Sequence, residues 1–296
     1  MKAKTLIKSI PVQMCIMGPR ASGKTTYLAS LLAPGLRAKN SGAVKAGGLK
    51  IHKLEDIISN FIQQKKAVPP TDLNEEYDYR FEIAIENAKR FRQAHKIQLS
   101  AKDLSGERFD RIFQAHINPA SLKSPQEQKQ LAEDVQDFLS QCFTMNRWMF
   151  MLTEWQTGKD EEYFKVFQWL CDRIDENSKL RSIQTLRVAV VMAKCERGEI
   201  WGGRLDPEAD LFKIRLHKTY NLLKNRLKKK VNFFACSAYG ILGKYDPRPN
   251  RFYTEDDGTH AEYRARLRDF DNWHPYGVIE PIYWLGTGEN LHNEFL

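Results

Sequence analysis

The chain has 296 residues, 42% of them hydrophobic, with 46 Lys and Arg against 37 Asp and Glu and a formal charge of +9. That is enough apolar material for one large α/β domain, or two small ones, to fold unaided. It contains no apolar run near the ~18 residues a membrane span needs, and its five scattered cysteines form no C-x-x-C pair, which excludes a zinc site or disulfide frame and points to a reducing, cytoplasmic setting.

In chain order, the basic start Met1-Lys2-Ala3-Lys4 leads into an apolar stretch that ends in a phosphate-loop motif. Cleaving it as a signal peptide would remove the first strand, so it is not read as one. Pro11 to Met17 is short and apolar, as a buried strand is. Gly18-Pro19-Arg20-Ala21-Ser22-Gly23-Lys24-Thr25 follows as a complete G-x-x-x-x-G-K-[ST], and Thr26 to Leu32 suits a helix ending near Pro34-Gly35. Strand, glycine loop and helix form the context the motif requires. Leu54, Ile58, Phe61 and Ile62 share one face of a helix expected over 49–62, and Val68-Pro69-Pro70-Thr71 breaks it. Residues 77–85 and 96–103 each alternate apolar and polar, predicting an antiparallel hairpin. Ser124-Pro125 opens a helix with Leu131, Val135, Phe138, Leu139 and Cys142 inward. Residues 148–153, 186–192 and 231–236 read as buried strands. Between them, Tyr163 to Ile174 carries a helical stripe, and Asp206-Pro207-Glu208 caps one long helix with Leu216, Tyr220, Leu223 and Leu227 inside. Residues 241–272 form the longest irregular stretch. Alternating strands and helices predict a mostly parallel sheet with helices on both faces.

The loop residues Gly18, Ala21, Ser22, Gly23, Lys24, Thr25 and Thr26 are the expected phosphate-binding set. Gly18 and Gly23 let backbone N–H groups wrap an anion at a helix start. Lys24 would reach the β- and γ-phosphates, and Thr25 would offer a hydroxyl to Mg²⁺. Three further signals follow in order. Asp103-Leu104-Ser105-Gly106-Glu107 closes an alternating strand as D-x-x-G, although an ordinary turn has the same form. Ala193-Lys194-Cys195-Glu196 follows one buried strand, and Cys236-Ser237-Ala238-Tyr239 ends the next. Lys194 and Glu196 also read as surface charges. The basic run at 213–230 is read first as a solvated face, with an acidic partner surface as the alternative. No zinc finger, aromatic RNA-binding pattern or Arg/Gly-rich tail accompanies the charge, so nucleic acid is not the expected partner.

These motifs, in this order, resemble those of P-loop GTPases of the translation-factor-related (TRAFAC) clade. More narrowly they resemble the bacterial double-GTPases, on Gly23-Lys24-Thr25-Thr26-Tyr27-Leu28, Pro69-Pro70-Thr71, Tyr79-Arg80-Phe81, Asp103 to Glu107 and the closing segment Trp273 to Leu285. The resemblance implies a three-layer fold with a six-stranded, mostly parallel sheet and one antiparallel strand. It implies one domain over 1–296, with helical insertions near the switches at about 36–68 and 108–146. It also implies GTP or GDP with Mg²⁺, and a switch role in multi-protein bacterial systems whose partners read the insertions; a defence-related setting is among the options. On this likeness Thr25, Thr71 and Asp103 would hold Mg²⁺, and Gly106 would offer its N–H to the γ-phosphate. Lys194 would lie over a purine, Glu196 would accept from the guanine N1–H and 2-amino group, and the Ser237-Ala238 backbone would meet the guanine oxygen. Thr71 reads equally as a plain loop residue. Three departures bear on catalysis and selectivity. Glu107 stands where a water-orienting glutamine is usual, so it either disfavours hydrolysis or acts as a base. Arg20, in the third position of the loop, is either a solvent-facing side chain or an internal arginine finger. Ala193 and Glu196 replace Asn and Asp in the base motif, which keeps ATP binding open. Slow GTP hydrolysis, with Lys24, Glu107 and Arg20 as the catalytic set, stands beside a nucleotide-stabilised scaffold with little turnover.

Overall fold

The computed structural model describes residues 6–33, 36, 44–46, 59, 77–86, 93–104, 106, 109–111, 124–153, 158–243, 246–253 and 265–291. Seven strands form one sheet: β1 (Leu6–Met17), β2 (Val44–Ala46), β3 (Tyr77–Glu86), β4 (Gln93–Asp103), β5 (Arg147–Leu152), β6 (Arg187–Met192) and β7 (Val231–Ala235). Their spatial order is β2-β3-β4-β1-β5-β6-β7. β4, β1, β5, β6 and β7 are mutually parallel, and β3 runs antiparallel to β4. These are the six strands expected, with the hairpin strand as the antiparallel one. The three-residue β2, antiparallel to β3, adds a seventh at the edge. It comes from the 36–68 stretch expected to be helical; apart from Ser59, the helix expected over 49–62 lies outside the described residues.

Five principal helices are α1 (Lys24–Ser30), α2 (Pro125–Thr144), α3 (Lys159–Glu176), α4 (His217–Leu227) and α5 (Glu280–Thr287). The central strands are buried on both faces because successive side chains point to opposite layers. Met14, Ile16, Met149, Met151, Ala189 and Val191 face α1 and α5, while Cys15, Met17, Trp148, Phe150, Val188 and Val190 face α2, α3 and α4. This is why β5 and β6 read as unbroken apolar runs, each fully buried large side chain contributing about 1.5–3 kcal/mol. β3 instead buries Tyr79, Phe81, Ile83 and Ile85 on one face. Its other face is polar, and there Glu82 pairs with Lys96 at 2.8 Å.

The single long helix expected after Asp206 is broken into pieces. Asp206 does cap its start, accepting from the Ala209 N–H at 3.1 Å. A π-helical turn over Pro207–Phe212 follows, then one turn over Lys213–Arg215, then a break at Leu216 (φ −126°, ψ 47°) before α4. The wide turn and the break bring Leu211, Phe212 and Leu216 all into the core, which one straight helix would not do. The N–H groups freed at the break are met by Asp160 of α3, whose carboxylate accepts from Lys218 and Thr219 at 2.9 and 3.0 Å.

Half of the basic run is paired: Lys218 with Glu161 and Arg226 with Asp172 and Asp175 between α4 and α3, Lys224 with Glu208, and Arg215 with Glu199. Its residues therefore form a solvated, salt-bridged face. The 241–272 stretch, read as irregular, holds two small antiparallel ribbons: β8 (Ile241–Gly243) with β9 (Asp246–Pro249), and β10 (Arg251–Tyr253) with β11 (Ala265–Leu267). Among the described residues, no helix is long and apolar enough to cross a membrane.

Candidate functional site

The phosphate loop leaves the carboxyl end of β1 beside the carboxyl end of β4, since Ile16 lies in register with Asp103. Ligands in open parallel sheets occupy this edge. The loop is tightly bounded. Gly18 has φ 150°, and a Cβ there would lie 2.2 Å from the Met151 carbonyl oxygen of β5. Gly23 and Ala21 are left-handed, at φ 94° and 60°. For Ala21 that conformation costs about 1–3 kcal/mol, strain of the kind found at ligand clamps.

Lys24 is 6% exposed, and its Nζ donates to the Gly18 and Pro19 carbonyls at 3.0 and 3.2 Å. Burial lowers the pKa of its ammonium, against the opposing pull of Asp103 and Asp110. The Thr25 hydroxyl donates to Asp103 Oδ2 at 2.8 Å, in a buried position. Hydroxyl and carboxylate oxygens are the hard donors Mg²⁺ takes, so the pair fits that ion. Ser22 Oγ is buried with no hydrogen-bond partner among the described residues, an orphan polar atom that suits a loop built for an anion.

Gly106 presses on the same loop. A Cβ there would lie 2.7 Å from Arg20 N and Cα and 3.0 Å from Lys24 Nζ. Two residues of the D-x-x-G segment, Asp103 and Gly106, thus reach the phosphate loop directly. Asp110, three residues beyond Glu107, accepts from the Arg20 backbone N–H at 3.2 Å, a contact the sequence did not announce. The Arg20 residue itself is exposed. Thr71, Ser105 and Glu107 lie outside the described residues.

The base-side residues gather at the carboxyl ends of β6 and β7. Lys194 is left-handed (φ 59°), and its Cε lies 3.9 Å from where a Gly23 Cβ would stand, so its stem passes over the phosphate loop. Glu196 is 2% exposed and is no surface charge. Its Oε1 sits 2.8 Å from Nε of Arg251 on β10. The two side chains form a buried ion pair.

The Ser237-Ala238-Tyr239 loop is held from several sides. Ser237 bridges the Tyr276 backbone in both directions at 2.9 Å, and the Trp273 indole N–H donates to the Ala238 carbonyl at 2.7 Å. The Tyr239 hydroxyl donates to the Ala265 carbonyl at 3.0 Å and is hydrogen-bonded to Thr26 of α1. The Asn250 N–H donates to the Gly240 carbonyl at 3.0 Å. Trp273 opens the closing segment that the resemblance rests on, whereas Arg251 and Asn250 carried no motif; a lone arginine in a three-residue strand offers no periodic signal to find it by.

A strand–glycine loop–helix at the switch point of this strand order, with an aspartate at the end of the neighbouring strand, decides the fold. This chain has the P-loop GTPase fold. Residues 15–130 match the family model described as Double-GTPase 1, which supports the resemblance to the bacterial double-GTPases. The matched stretch spans the phosphate loop and the D-x-x-G segment and stops short of Lys194, Glu196 and Ser237. No curated protein matches the sequence. Solved structures similar to the chain include the Arl6 (BBS3) small GTPase of Trypanosoma brucei with a bound nucleotide analogue, at 11% identity and TM-score 0.36, covering 93% of this chain and 95% of the other. The GTP-bound Ski7 GTPase-like domain of S. cerevisiae is 13% identical at TM-score 0.37, covering 90% and 49%. Era of Aquifex aeolicus with GDP and aluminium fluoride is 14% identical at TM-score 0.32, covering 77% and 52%. Likenesses at these levels carry no functional weight.

Proposed function

We propose that this protein is a guanine-nucleotide-binding switch of the TRAFAC clade, with slow Mg²⁺-dependent GTP hydrolysis, acting in the cytoplasm within a multi-protein bacterial system. The observation that carries the reading is the phosphate end. There the Thr25 hydroxyl meets Asp103 at 2.8 Å, Lys24 is buried within the loop, and Gly106 lies against Arg20 and Lys24. Lys24 would bind the β- and γ-phosphates, and Thr25 and Asp103, with Thr71, would hold Mg²⁺, which would neutralise charge on the phosphates. Because Gly106 has no room to shift toward the loop, a γ-phosphate that engages its N–H would set the course of the segment after it. That is the coupling a switch needs, and partners would read it at the insertions flanking the switches.

Guanine selectivity rests on Glu196. A carboxylate at this position in the order of motifs can accept from two adjacent N–H donors, which guanine offers and adenine does not. Affinities for GTP, GDP and ATP, with and without Mg²⁺, test the proposal: GTP and GDP should bind far more tightly than ATP, and GTP binding should weaken when Mg²⁺ is removed. Equal affinity for all three would sink it.

A second reading, a nucleotide-stabilised scaffold with little turnover, is favoured by the exposure of Arg20 at the loop. If the arginine stays in solvent when nucleotide binds, it supplies no charge to the γ-phosphate, and hydrolysis would then wait on a partner. Multiple-turnover assays on the isolated protein separate the two.

A further inference from the structure

Glu196 is one methylene longer than the aspartate its motif usually carries, so its carboxylate has one more rotatable bond to fix. It is also buried, where an isolated negative charge is costly. Both problems meet the same partner. Arg251 is 9% exposed, and its Nε stands 2.8 Å from Glu196 Oε1. The groups around the pair are Cys195 and Arg197 on the Glu196 loop, Cys236 and Tyr239 on the loop after β7, and Arg251 on β10. Burial raises the pKa of both thiols and of the phenol, so they stay neutral at ordinary pH. Among the described residues the cations of this cluster are Arg197, Arg204 and Arg251, and Arg251 is the one in contact with the carboxylate.

The geometry of the contact matters. Arg251 supplies charge and a fixed position to Glu196, through one guanidinium nitrogen on one carboxylate oxygen. The ribbon carrying Arg251 is itself pinned to the other base-side loop, through Asn250 to Gly240 and through Ala265 to Tyr239. Asn250 is held in turn, its amide donating to the Asp269 carbonyl at 2.8 Å and its Oδ1 accepting from the Asp269 N–H at 2.8 Å.

We infer that Arg251 is a specificity-determining positioning residue: it holds the Glu196 carboxylate in place, so that the longer side chain discriminates guanine from adenine. The inference rests on the guanine reading of Glu196 and adds to it a residue from a distant ribbon.

The test is a double-mutant cycle on discrimination, with the affinities of the full chain for GTP and ATP measured in the presence of Mg²⁺. Arg251→Met should lower the GTP-over-ATP preference by about tenfold or more, the scale of one charge-assisted contact, while ATP affinity stays within about threefold. Arg251→Lys, which keeps the charge, should recover part of the preference. In a Glu196→Ala background, Arg251→Met should make no further difference, because a residue that acts through Glu196 has nothing left to act on. Should Arg251→Met bind neither nucleotide, Arg251→Gln carries the same comparison. A parent that prefers GTP, with Arg251→Met and Arg251→Gln variants that keep the preference, overturns the inference alone. So does an equal loss in the Glu196→Ala background. A parent that binds GTP and ATP alike overturns the guanine reading, and this inference with it.

Discussion

The phosphate end and the base end of the site are built in opposite ways. Lys24, its acceptors Gly18 and Pro19, and Thr25 lie within eight consecutive residues, and the end of one neighbouring strand and the segment just after it add Asp103 and Gly106. The base end draws on Lys194 and Glu196 after β6, Ser237 to Tyr239 after β7, Arg251 and Ala265 from a small ribbon, and Trp273 and Tyr276 from the segment before α5. Backbone geometry makes the first, and long-range side-chain contacts make the second. On the proposed reading, tertiary contacts supply at the base end what the degraded local motif lacks.

Breaking the phosphate end should have the largest effect. Lys24→Ala is expected to abolish GTP and ATP binding alike, a loss of about 4 kcal/mol or more on the scale of removing one buried charge partner. Calorimetric titration with each nucleotide checks it, and a variant that binds as tightly as the parent would end the phosphate-loop reading.

Breaking the base end should be smaller and selective. Glu196→Ala should weaken GTP by about 2–4 kcal/mol and leave ATP nearly unchanged. The variant also leaves Arg251 buried opposite an alanine, so its melting temperature should fall; ATP affinity, measured alongside, separates lost recognition from lost folding. Equal weakening of both nucleotides would remove the case for guanine selectivity.

A subtler change sharpens the contrast. Trp273→Phe removes the indole donor to the Ala238 carbonyl at 2.7 Å, worth about 1 kcal/mol net. A drop of a few degrees in melting temperature and a several-fold loss of GTP preference are expected, with ATP affinity unmoved. If ATP binding fell as far as GTP binding, the two ends would not be separable.

The smallest effect concerns Arg20. Its exposure leads to an expectation of slow turnover in the isolated protein, and of less than about a threefold change in Arg20→Ala, where an internal arginine finger would cost about 10³-fold or more. Rapid hydrolysis that vanishes in this variant would restore an autonomous enzyme.

What the amino-acid sequence determined by itself was whatever local pattern encodes. The G-x-x-x-x-G-K-[ST] spacing set the loop, because only glycine suits Gly18 against the Met151 carbonyl and the left-handed turn at Gly23. The unbroken apolar runs of β5 and β6, and the alternation of β3 and β4, set the sheet and its antiparallel hairpin, because side-chain periodicity reports which faces are buried. Only the tertiary structure decided the rest. Leu216 breaks the helix after Asp206, because Leu211, Phe212 and Leu216 all enter the core and Asp160 stands ready to satisfy the freed N–H groups. Lys218 and Arg226 of the basic run turned out paired, because α3 presents Glu161, Asp172 and Asp175 across from them. Glu196 kept a surface charge as its alternative reading until Arg251, 55 positions later in the chain, was seen to meet it. A contact between residues so far apart leaves no periodicity and no motif, since nothing in the local chain constrains either partner until the fold brings them together.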